Sequence, residues 1–86
     1  MNDVLKHILL YDLKDALEGL QRCVTEMENE SGFDESDYHV HMQHIYFHLN
    51  NAWNLRNESF DEINKEHGLD RWSCFPKDID PTYSRE

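Results

Sequence analysis

Basic residues are scarce in this chain, where 8 Lys and Arg stand against 18 Asp and Glu and the formal net charge is −10. Binding to nucleic-acid phosphates needs a basic patch, and so does docking on an anionic membrane. We therefore expect no direct nucleic-acid binding and no membrane binding. The deficit permits a basic protein partner. It also permits mimicry of nucleic acid, in which carboxylates stand for phosphates. Because Lys and Arg interrupt the acids along the chain, we favour acidity that only keeps a small protein soluble.

Cysteine is almost absent as well. Cys23 and Cys74 are too few for a disulfide framework. The first residues lack the basic segment of a secretory signal, and Asp3, Lys6 and Asp12 interrupt their apolar run. No apolar run approaches the length of a membrane span. We therefore predict a cytoplasmic protein with reduced thiols.

Glycine and proline are few, three and two, whereas aromatic residues make up 12% of the chain. This composition is typical of a globular chain rather than a disordered one. We predict a single small helical domain over residues 1–86, which gains stability by dimerising or by laying a tail over its core. The predicted class is all-α. The predicted fold consists of an antiparallel helical hairpin, a short third helix and an ordered irregular C-terminal tail packed over the hairpin.

The first helix is predicted over about residues 3–29, with Asn2 or Asp3 as its N-cap. At 100° per residue its apolar positions fall on one broad face, which we expect to pack on the second helix. These positions are Leu5, Leu9, Leu13, Ala16, Leu17, Leu20, Cys23, Val24 and Met27. Gly19 lies away from that face, where either a neighbouring element or solvent would meet it.

The second helix is predicted over about residues 37–57, capped by Ser36 or Asp37 after a short loop. Its apolar stripe should form the seam against the first helix. The stripe contains Met42, Ile45, Leu49, Ala52 and Trp53, with Tyr46 at its edge. Arg56 falls in the same stripe. Since a lone buried guanidinium costs too much, we predict an ion pair between Arg56 and Asp12.

A short third helix is predicted over about residues 60–67, because Ser59 and Glu62 have the spacing of a capping box. The tail over 68–86 is neither periodic nor low in complexity. Trp72 and Phe75 are residues that a disordered tail rarely contains, so we expect order at least as far as Phe75.

Three histidines of the second helix, His41, His44 and His48, are spaced so that they point the same way. Such a cluster can bind zinc or another transition metal, which makes a metal-binding protein one alternative. It lacks the HExxH pattern and a neighbouring carboxylate in sequence, so we favour histidines that border the core. A pH switch is a third interpretation, because six histidines against 18 acids could change the net charge substantially between about pH 5 and 7.

The chain contains no catalytic motif and no cofactor-binding motif. We therefore expect a small acidic, non-enzymatic protein-interaction or regulatory domain. Val40 and Phe47 lie on a second face of the second helix, where the tail or the other subunit of a homodimer would cover them. Trp72 and Phe75 are either part of the core or anchors for a protein partner. An acidic nucleic-acid mimic that inhibits a DNA-binding protein remains the other alternative.

Overall fold

The computed structural model describes residues 1–65 and 70–82, which contain four α-helices. Helix α1 spans Asp3–Asn29 and α2 spans Glu35–Asn54. Two short helices follow, α3 over Phe60–Lys65 and α4 over Asp70–Ser73. The two long helices pack against each other, so the predicted all-α class is confirmed.

Polar side chains at the helix starts explain where these helices begin. Asn2 caps α1 as predicted, because its Oδ1 accepts a hydrogen bond from Leu5 N at 2.8 Å. The predicted cap of α2 is wrong by two or three residues. Asp34 is the N-cap, and Asp34 and Asp37 each accept a 3.1 Å hydrogen bond from the other's backbone N–H. This reciprocal capping box satisfies two backbone donors at once, which starts α2 earlier than expected.

The ends of the helices and the tail also differ from the sequence prediction. Helix α2 ends at Asn54 rather than near residue 57, with Leu55 as its C-cap. Helix α3 begins at Phe60 as predicted, after Ser59, whose Oγ accepts a hydrogen bond from Glu62 N. The predicted end of this helix, at residues 66–67, and residues 68–69 and 83–86 of the predicted tail lie outside the described residues. The tail is not irregular throughout, because Asp70–Ser73 forms the single turn of α4.

One stripe of α1 packs against α2, and we call it the inner stripe. Its members recur at alternating intervals of four and three residues, which keeps them on one side of a helix. They are Leu5, Leu9, Asp12, Ala16, Gly19, Cys23 and Glu26. Glu26 pairs with His41 while Asp12 pairs with His48, so the order reverses and the helices run antiparallel.

The broad apolar face predicted for α1 is therefore wrong in its extent. Ala16 and Cys23 are buried as expected, but the large aliphatic side chains beyond Leu9 are exposed. Gly19, which the sequence placed away from the face, is buried. A Cβ atom on Gly19 would lie 3.0 Å from His44 Nδ1 and 3.2 Å from Ile45 Cγ1. The small residue lets the two helices approach closely at this point.

A cluster of buried apolar residues lies where α1, the end of α2 and the tail meet. Leu5, Leu9, Leu55 and Trp72 are buried there, and Ile8 and Ile63 pack against them. Asparagines of α2 fix the tail above this cluster. Asn50 Nδ2 donates to Ser73 O, and Asn54 Nδ2 donates to the carbonyl oxygens of Trp72 and Cys74. The prediction of an ordered tail laid over the hairpin is confirmed over residues 70–82.

Candidate interaction surface

Two of the three predicted histidines lie between the long helices, each beside a carboxylate of α1. His48 Nδ1 donates a hydrogen bond to Asp12 Oδ1 at 2.8 Å, and both side chains are only 14% exposed. His41 Nε2 pairs with Glu26 Oε2. Asp15 adds a weaker contact, with its Oδ2 3.9 Å from His48 Nε2. These pairs satisfy polar groups that would otherwise be costly to cover with protein.

His44 occupies a different environment. Its ring stands over Gly19 and meets the ring of His48 edge to face, with 4.8 Å between ring centroids. The residue is exposed, whereas His41 and His48 are partly covered. The three histidines thus share one side of α2 but face separate partners. Among residues 1–65 and 70–82, no three His, Cys, Asp or Glu side chains are grouped so that they could hold a metal ion.

The predicted ion pair between Arg56 and Asp12 is wrong. Arg56 Nη2 donates to Asp78 Oδ2 at 2.8 Å, and the guanidinium stacks over the Trp53 ring with 3.8 Å between Cζ and the ring centroid. Trp53 Nε1 donates to the other oxygen of Asp78, also at 2.8 Å. The hydrogen bonds from Arg56 and then from Trp53 lower the pKa of the Asp78 carboxyl below its ordinary value. Asp12 is engaged by His48 instead.

The four predicted interaction residues lie in three different places. Trp72 is buried in the core cluster, and Val40 is 65% exposed on α2. Phe47 and Phe75 come together at a groove of about 490 Å³, which Tyr38, Met42 and Tyr46 also line. Phe75 meets Tyr46 edge to face, with 5.2 Å between ring centroids. Phe47 contacts the ring of His48.

A second stripe of α1 carries most of its large aliphatic residues and is exposed. We call it the outer stripe. Its members recur at intervals of 3, 4, 3, 4 and 3 residues, and each is between 39% and 54% exposed. They are Leu10, Leu13, Leu17, Leu20, Val24 and Met27. This spacing is the a/d pattern of a helix that packs against another helix along its length.

The apolar surface continues from the outer stripe onto α2 and the tail. Leu13 lines a groove of about 700 Å³ together with Tyr46 and Leu49 of α2. Phe75 and Ile79 close the other wall of this groove. All four of these neighbours of Leu13 are themselves exposed. We use the name apolar face for the outer stripe together with these four side chains.

Two signals in the sequence could have separated the inner stripe from the outer stripe. The heptad spacing of the six large aliphatics is one of them. The other is the position of Asp12, Gly19 and Glu26, which recur every seven residues on one line of α1. Two acids and a glycine on one line would usually indicate an exposed side of a helix. Here His41 and His48 of α2 are available as partners for the two acids, so this line can face α2.

No described helix is both long enough and apolar enough to cross a membrane. Comparisons of the chain with protein-family models, with curated proteins and with solved structures find no significant match.

Proposed function

We propose that this protein is a non-enzymatic, cytoplasmic interaction domain that docks on a helical partner through the outer stripe of α1. The observation that carries this proposal is the exposure of six large aliphatic side chains at heptad spacing on one helix. Contiguous apolar patches larger than a few hundred Å² are rare on monomers and mark sites of interaction. An amphipathic helix that lays such anchors into a groove is a common mode of protein recognition.

The polar groups of the hairpin support a structural role rather than a chemical one. His41 and His48 are each directed at a carboxylate of α1, so neither points towards the large grooves. This arrangement favours the interaction domain over the metal-binding alternative. The nucleic-acid mimic also has less support, because Asp12, Glu26 and Asp78 make contacts inside the chain. Free Cys23 and Cys74 fit a reducing compartment.

The proposal is tested by site-specific photo-cross-linking in the cells that make the protein. A benzophenone side chain placed at Leu17 should give a discrete, light-dependent adduct, since this position lies in the middle of the outer stripe. The same side chain at Val40 is the matched control, because Val40 is at least as exposed as Leu17 (65% against 54%) but lies away from the apolar face. Introducing Leu20→Lys and Val24→Lys beside the probe should abolish the Leu17 adduct. Adducts at Val40 alone, or at neither position, would overturn the proposal.

A further inference from the structure

We infer that the occupant of the apolar face is a second copy of this chain, whose outer stripe pairs antiparallel with the first. This inference rests on the proposed function, because it names the helix that docks there. The two-fold axis passes between Leu17 and Leu20, and the two hairpins form a four-helix assembly with α1 of each copy at its centre.

The spacing of the outer stripe is symmetric about its centre, so a two-fold axis through that centre places each residue of the stripe opposite another residue of the stripe. Under antiparallel pairing, Leu17 of one copy faces Leu20 of the other. Leu13 then faces Val24, and Leu10 faces Met27. Every large side chain of the stripe meets another large side chain, because the intervals of 3, 4, 3, 4 and 3 residues are symmetric about the centre.

Charge along the edge of the stripe favours the antiparallel orientation. The edge that faces away from α2 carries His7, Lys14, Gln21 and Glu28 at intervals of seven residues. Antiparallel pairing brings His7 near Glu28 of the second copy and Lys14 near Gln21. A parallel arrangement would instead set this edge against the opposite edge of the second copy, which carries Leu9, Ala16 and Cys23, so it would bring no acid near His7 or Lys14. No acid lies within the stripe itself, although the chain has 18 of them.

The exposed area is close to what a stable dimer needs. The ten side chains of the apolar face are large and 37–65% exposed. Together they present an apolar area on the order of 800 Å², which is what each partner contributes to a standard interface. The groove of about 700 Å³ lies at the Leu13 end of the stripe. Val24 and Met27 of the second copy arrive at this end, so each copy fills the groove of the other.

The first experiment measures the mass of the full-length protein by sedimentation equilibrium, at about 100 μM, above the micromolar Kd of the weakest interfaces of standard size. The expected result is twice the chain mass of 10.4 kDa. Leu17→Lys should raise the dissociation constant at least about tenfold, because it places two ammonium groups against apolar side chains at the axis. Val40→Lys adds the same charge outside the apolar face and should leave the dimer unchanged. Higher salt should strengthen the dimer, since two chains of charge −10 repel each other.

The second experiment tests the orientation by disulfide formation in a Cys74→Ser background, which leaves only the buried Cys23. A mixture of Leu10→Cys and Met27→Cys chains should cross-link to each other. Leu10→Cys alone should not, because two copies of residue 10 lie about 25 Å apart along antiparallel helices at 1.5 Å per residue.

A monomer at the highest concentration would overturn the inference, and so would a dimer that Val40→Lys dissociates and Leu17→Lys does not. Cross-linking of Leu10→Cys chains with one another would overturn the antiparallel pairing. A monomer that still gives the Leu17 photo-adduct with a different protein would leave the proposed function standing. A monomer with no adduct at Leu17 would remove both.

Discussion

The inner and outer stripes of α1 run side by side along one helix, yet their composition is the reverse of what burial alone would predict. The inner stripe, against α2, contains an alanine, a glycine, a cysteine and two acids in its central and C-terminal part. The outer stripe consists of six large aliphatic side chains, all exposed. Small residues permit a close approach of the two helices, whereas large side chains offer area for association.

The two stripes also differ in the kind of contact on which they depend. The inner stripe depends on specific contacts, namely the space at Gly19 and the carboxylate partners of His41 and His48. Such contacts fix one arrangement of the helices but contribute little apolar burial. The outer stripe depends on area and spacing, so it tolerates exchange among aliphatic residues. Substitutions in the inner stripe should therefore lower the free energy of unfolding, whereas substitutions in the outer stripe should weaken association.

The largest effect is expected from Gly19→Leu in the inner stripe. The first added carbon already lies 3.2 Å from Cγ1 of Ile45, which is almost completely buried, so the helices must separate to admit the rest of the side chain. We expect a loss of about 2–3 kcal/mol in the free energy of unfolding, measured by urea denaturation. Gln21→Leu is the control, because it adds a similar side chain to an exposed position of α1. Equal stabilities of the two variants would mean that the close approach at Gly19 does not constrain the hairpin.

A smaller effect is expected when the polar contacts of the inner stripe are broken. His48→Ala leaves the Asp12 carboxylate, which is only 14% exposed, without its hydrogen-bond donor. We expect the free energy of unfolding to fall by about 2 kcal/mol. Replacing both His48 and Asp12 with leucine should recover at least half of that loss, since no carboxylate is then left between the helices without a partner. His39→Ala, at an exposed position of α2, should lower the free energy of unfolding by less than about 0.5 kcal/mol. A His48→Ala protein as stable as the His39→Ala control would show that the pair contributes nothing.

The two long helices and the start of α3 were predictable because their signals are local. Period, propensity and capping residues located α1 within a residue at both ends, and a loop of a few residues implied an antiparallel hairpin. The start of α2 was missed because Asp34 and Asp37 cap each other reciprocally, whereas Ser36 or Asp37 is the cap predicted from the sequence.

The side of α1 that packs on α2 was not predictable from apolarity. The two stripes lie about 100° apart on the helix at 100° per residue, and a broad apolar face includes parts of both. The heptad intervals of the outer stripe and the polar line of Asp12, Gly19 and Glu26 are what separate them. The partners of Asp12 and Arg56 were missed for another reason. His48 is 36 positions from Asp12 and Asp78 is 22 from Arg56, and such pairings depend on how the tail and the helices are arranged in three dimensions.

The smallest effect concerns the contacts of Asp78 with Arg56 and Trp53, which hold the tail beside the apolar face and which we call the clip. Arg56, and after it Trp53, lowers the pKa of Asp78 from its ordinary value of 3.8. A lowered pKa in the folded state means that the clip contributes fully above that ordinary value and is lost as the pH falls through the lower, folded-state pKa. We therefore expect the indole N–H resonance of Trp53 in NMR spectra to stay constant down to about pH 4 and to shift below it. Asp78→Asn should abolish this acid-dependent shift.

The control for this titration is Asp80→Asn. The pKa of Asp80 is also lowered, but by a hydrogen bond from the backbone N–H of Thr82, so it lies outside the clip. Its replacement should leave the Trp53 resonance and its pH dependence unchanged. If Asp80→Asn removes the shift as completely as Asp78→Asn, the acid response belongs to the tail as a whole. In that case, something other than the contact of Asp78 with Arg56 and Trp53 holds Phe75 and Ile79 at the edge of the apolar face.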